Sequence, residues 1–153
     1  MIRLATLVFM AFLAVPLAAQ GAEELRADML IEPAGTSDLS EFRWRKRPVV
    51  VFADDVMDPA FTEQIELLRD GARDLLARDV VVLVDTDPAA RSPLRLRMRP
   101  RGFMLVLVGK DGDLKIRKPF PWDVREISRS IDKMPMRQRE IRDAKEAEGR
   151  IND

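Results

Sequence analysis

The chain has 153 residues, 26 Lys plus Arg against 26 Asp plus Glu, and no cysteine, histidine or tyrosine. Without thiols there is no thiol nucleophile, disulfide, thiolate zinc site or Cys-x-x-Cys pair, and without imidazole there is no Ser-His-Asp triad or imidazole metal ligand. The length suits one domain, 46% apolar residues can build its core, and zero formal charge gives no global drive toward nucleic acid or membrane.

Met1-Ile2-Arg3 is a short positive start, and Leu4 to Ala19 is apolar except at Thr6. Small residues follow. This is the pattern of a secretory signal peptide, too short for a spanning helix. It predicts a signal over residues 1–21, with cleavage between Ala19 and Ala22, a periplasmic or secreted protein, and no membrane span once the signal is removed. Residues 22–38 contain Pro33, Gly35, Thr36 and Ser37 and read as a flexible segment before a domain over 39–136.

Phe42 to Arg47 alternates aromatic and basic residues. Pro48 to Ala53 (PVVVFA) is then a continuous apolar run of the kind buried on both faces of a sheet. Asp58 is a suitable N-cap with Pro59 at the first helical position. Phe61, Ile65, Leu68, Ala72, Leu75 and Leu76 form one apolar helix face, which Gly71 weakens by about 1 kcal/mol relative to Ala. Val80 to Val84 completes a β-α-β unit, whose crossover should be right-handed.

Thr86 to Arg101 carries three prolines and five arginines and has no clear assignment. Phe103 to Val108, the Asp-Gly turn at Asp111-Gly112, and Leu114 to Lys118 predict a hairpin. Trp122, Val124, Ile127 and Ile131 mark a final helix, ending near Met134-Pro135-Met136. Residues 137–153 read as a charged tail or frayed helix.

The order β-α-β then β-β-α resembles a thioredoxin-like fold: a single α/β domain with a mixed central sheet. PVVVFADD resembles its first core strand, and FMLVLVGKDGDLKIR its strand–turn–strand. On that resemblance, Met57-Asp58-Pro59-Ala60 occupies the redox position, with Met57 and Ala60 where the two cysteines would stand. The place of the family's cis-proline reads Arg101-Gly102-Phe103, and the nearest proline is Pro100. The resemblance therefore implies the scaffold without thiol–disulfide exchange, which requires a thiolate. FRWRKRPVVVF, VGKDGDLKIR and IDKMPMRQREIR together resemble the bacterial family named domain of unknown function 4174, over about Leu39 to Arg142. That family is similar to domains of vertebrate secreted sushi-repeat and coiled-coil matrix proteins.

Three groups of residues are candidates for function. Asp54, Asp55 and Asp58 follow one strand, and Asp85 and Asp87 the next, where ligand sites of α/β sheets lie. Carboxylates there can hold a divalent cation or serve a carboxylate-dependent enzyme; the plainer reading is a helix cap and ion pairs. Arg95, Arg97, Arg99 and Arg101 alternate with Leu96, Met98 and Pro100. If extended, they form one basic face, to which Arg43, Trp44, Arg45 and Arg47 can add, suited to an envelope protein or a polyanion. The plainer reading is a solvated edge strand. Met134-Pro135-Met136-Arg137 offers polarisable contacts or core packing. No cofactor and no nucleic acid are expected, and a redox-inactive binding or structural module is the leading reading.

Overall fold

The structure is a computed structural model that describes residues 31–151. The expected signal peptide lies outside the described residues. Five strands form one sheet: β1 (Ile31–Pro33), β2 (Arg47–Phe52), β3 (Val80–Asp85), β4 (Met104–Val108) and β5 (Leu114–Lys118). Their spatial order is β1-β3-β2-β4-β5. β3 runs parallel to both β1 and β2, while β4 is antiparallel to β2 and to β5. The helices are α1 (Pro59–Asp70), α2 (Ala72–Leu76), α3 (Pro93–Met98), α4 (Val124–Asp132) and α5 (Pro135–Ile151).

β2, β3 and β4 are apolar along nearly their whole length because both faces are covered. Val49, Val51, Val82, Leu105 and Leu107 point under α1, α2 and α4, against Phe61, Leu68, Leu75, Ile127 and Ile131. Their alternating neighbours Val50, Phe52, Leu83, Val106 and Val108 pack beneath Leu94 and Met98 of α3 and beneath Leu39. Fully burying a Val, Leu, Ile or Phe side chain stabilises by roughly 1.5–3 kcal/mol, and fourteen of the buried apolar residues, Ala53 among them, have 0% exposure.

The expected β-α-β and β-β-α units are both present, and four local features differ from expectation. Residues 31–33, inside the stretch expected to be flexible, add β1 to the sheet edge, and Ala34 continues the pairing by donating to the Val84 carbonyl at 2.8 Å. The helix after β2 is interrupted at Gly71, which ends α1 and caps α2; a side chain there is excluded because a Cβ would stand 2.5 Å from Cγ1 of Val124 on α4. Residues 93–98 are helical rather than extended: Ser92 caps α3 by accepting from the Arg95 N–H at 3.1 Å, and Pro93 takes its first position. Pro135 opens a 17-residue helix rather than ending the fold, and its first turns are held to the sheet by ion pairs described below.

Candidate functional site

The position expected to correspond to a redox centre lies just past the end of β2. Asp58 caps α1, its Oδ1 accepting from the N–H groups of Ala60 (2.8 Å) and Phe61 (3.4 Å). Pro59 and Ala60 open the helix, and Ala60 packs on the core. Met57 is 79% exposed on the preceding turn, where its N–H donates to Asp55 Oδ1 at 2.7 Å. The thioether thus projects into solvent from the place where the resemblance puts a cysteine.

Of the carboxylates near this position, Asp54 and Asp85 share one partner, Arg95, whose Nη1 lies 3.5 Å from Asp54 Oδ1, and the others stand apart. Asp54 and Asp55 are exposed, and Asp58 is held by its cap bonds. Asp85 is buried at the end of β3, and Ser92 Oγ donates to its Oδ2. Arg95 closes the arrangement: its Nε and Nη2 donate to Asp85 Oδ1 at 3.1 and 2.9 Å, and Nη2 also donates to the carbonyls of Ala53 (2.8 Å) and Asp85 (3.0 Å). One guanidinium therefore ties the ends of β2 and β3 together and neutralises the carboxylate that a cation would need. Among the described residues no group of three His, Cys, Asp or Glu side chains is placed to hold a metal ion.

The basic residues separate into two populations. Arg95, with a side chain only 10% exposed, and Arg47, 1% exposed, are internal and do not belong to any basic surface. Arg47 Nη1 donates to the Arg78 carbonyl and Nη2 to Glu140 Oε1, each at 2.9 Å. Lys110 Nζ joins the same carboxylate at 2.8 Å and also pairs with Asp79 at 2.7 Å. Burial raises the Glu140 carboxyl, but hydrogen bonds from Arg47 and Lys110 outweigh it and hold its pKa down at about 2. Arg78 likewise pairs with Asp132 of α4 at 2.8 Å, lowering that carboxyl.

Arg43, Trp44, Arg45, Arg97, Arg99 and Arg101 stay exposed. Of these, the fold brings Arg43 and Arg97 into one surface cleft of about 290 Å³, shared with Asp38, Ser40 and the hairpin turn at Asp111, Gly112 and Asp113. Trp44 has a positive φ of 64° and is 61% exposed. Its N–H donates to the Lys110 carbonyl at 2.7 Å, and the Arg43 guanidinium lies 5.6 Å from its ring centroid, within cation–π range. The cleft also holds three acids: a hydrogen bond from Ser40 lowers the Asp38 carboxyl, Asp111 pairs with Lys115 at 2.6 Å, and the exposed Asp113 stands 3.7 Å from the same Lys115. Arg45, Arg99 and Arg101 do not line this cleft.

Sequence reading passed over Ser92, Lys110, Gln64 and Glu140. Ser92-Pro93 is a legible cap signal for α3. Gln64 is fully buried and exchanges two hydrogen bonds with the backbone of Trp122, at 2.7 and 3.1 Å; a lone polar residue on an apolar helix stripe was its signal.

The strand order, the mixed sheet and the helices on its two faces define a thioredoxin-like fold. Two solved structures from Plasmodium yoelii, of Prx1a and of thioredoxin peroxidase I, share it with TM-scores of 0.51 and 0.50, each at 16% identity. The matches cover 66% of this chain and 80% and 79% of those chains respectively. Residues 38–140 match the family described as "Domain of unknown function (DUF4174)", and the chain belongs to that family. It is also 29% identical over 133 residues to the Danio rerio protein "Coiled-coil domain-containing protein 80", a match that spans 67% of this chain and 15% of that protein.

Proposed function

We propose that this chain is an exported, redox-inactive thioredoxin-like module that binds an anionic partner, an envelope protein or a polyanion, through Arg43, Trp44 and Arg97. The chain has no cysteine, so the fold supplies a frame without the thiolate that thiol–disulfide exchange needs. The observation that carries the reading is the meeting of Arg43 and Arg97 in one cleft, beside an exposed tryptophan. Guanidinium groups present planar paired donors to carboxylate, phosphate or sulfate oxygens. Arg45, Arg99 and Arg101 are exposed cations that add field around such a partner rather than direct contacts.

Heparin serves as a polyanion probe. The parent should be retained and elute with rising salt, and Arg43→Ala/Arg97→Ala should elute at clearly lower salt, because fewer counterions are displaced on binding. Co-elution of the two proteins would sink the reading. Both side chains are on the surface, so the variant keeps its core.

A further inference from the structure

A second cleft, of about 250 Å³, opens on the other side of the same hairpin turn, between Gly109–Lys115 and the junction of α4 with α5. Its walls are of two kinds. Met134 and Met136, on either side of Pro135, are half-buried and supply an apolar surface of polarisable thioethers. Arg47, Lys110, Lys115 and Arg139 supply cations. The first three have partners: Arg47 and Lys110 share Glu140, and Lys115 pairs with Asp111. Arg139 is exposed and makes no ion pair among the described residues.

We infer that this cleft is a binding site for a small aromatic carboxylate. The volume is below the usual range of about 300–1,000 Å³ for drug-sized ligands, so it suits a single ring with a short acidic arm. Thioether sulfur makes favourable contacts with aromatic rings, which matches the ring to Met134 and Met136. The carboxylate then meets Arg139, whose fork of donors is not committed to a described acid, while Lys115 lends further positive field. Gly109 lies in this wall beside the flexible ends of the Asp111 and Lys115 side chains. The site shares only Asp111 with the Arg43/Arg97 cleft and none of its cations, so either can fail without the other.

The test is a titration of the protein, labelled at its methionine methyls, with phenylacetate, followed by NMR. Saturable shifts of the Met134 and Met136 methyls are expected, with those of Met98 and Met104 unmoved. The uncharged isostere phenylacetamide should bind at least about tenfold more weakly, as should Arg139→Gln, since a charge-assisted hydrogen bond is lost in each case. Arg139 is on the surface, so that variant folds. Unmoved Met134 and Met136 methyls at millimolar phenylacetate would overturn the proposal, as would equal binding of the amide or by Arg139→Gln.

Discussion

Arg47 and Arg95 carry the same chemical group into opposite ends of β2. Each guanidinium meets a carboxylate and at least one backbone carbonyl, which is the condition for offsetting the desolvation penalty of burying such a charge. Glu140 gives the first of these a pH signature. Its folded pKa of about 2 lies below its ordinary 4.5, so its contribution is present above pH 4.5 and is lost as pH falls toward 2. Chemical denaturation of the parent and Glu140→Gln should show a stability gap on the order of 2–3 kcal/mol near neutral pH. That gap should close across the window from pH 4.5 to 2; a gap independent of pH would contradict the pairing. Met57 supports a second expectation. With its thioether 79% exposed while Met98 and Met104 are buried, limited peroxide treatment should convert Met57 to the sulfoxide several-fold faster than either. Peptide mapping by mass spectrometry decides this, and equal rates would refute it.

At the scale of elements, Gly71 separates propensity from packing. In a helix read alone, Gly71→Ala should stabilise by up to about 1 kcal/mol. In the fold, Ala would press its Cβ against Val124, 2.5–2.8 Å away, so α4 must yield, at a cost of roughly 1–3 kcal/mol. The substitution should therefore lower the melting temperature, and a rise would show that α4 shifts freely. The same contrast explains what was legible beforehand. β2, β3 and β4 are visible as apolar runs because a strand buried on both faces has no polar period to disguise it. α1 is visible from its cap, its proline and its stripe. α3 was hidden because Arg-x-Arg alternation imitates a strand over so short a span, although Ser92-Pro93 signals its start. β1 is three residues long and forms only because β3 offers it an open edge, which local sequence does not encode. Which arginines face solvent was equally hidden, since the partner of Arg47 lies 93 residues away.

For the whole molecule, the order of elements and the motifs at Phe42–Phe52, Val108–Arg117 and Ile131–Arg142 carry the family in the sequence itself. The candidate site was less legible: of seven arginines assigned to one surface, two are internal and only Arg43 and Arg97 line a common cleft. No helix among the described residues is long and apolar enough to cross a membrane. We propose export on the N-terminal pattern, and it is directly testable. Residues 1–30 fused to a reporter that matures only outside the cytoplasm should yield envelope activity, and a reporter that remains silent would refute it. The Arg47–Glu140 pair joins residues 93 apart in the sequence, so it forms only when distant segments meet. Without α5 in place, the Arg47 guanidinium keeps the Arg78 carbonyl but has no Glu140 carboxylate to balance its charge. The base of the central strand therefore reaches its final charge balance only when α5 docks and brings Glu140 to it.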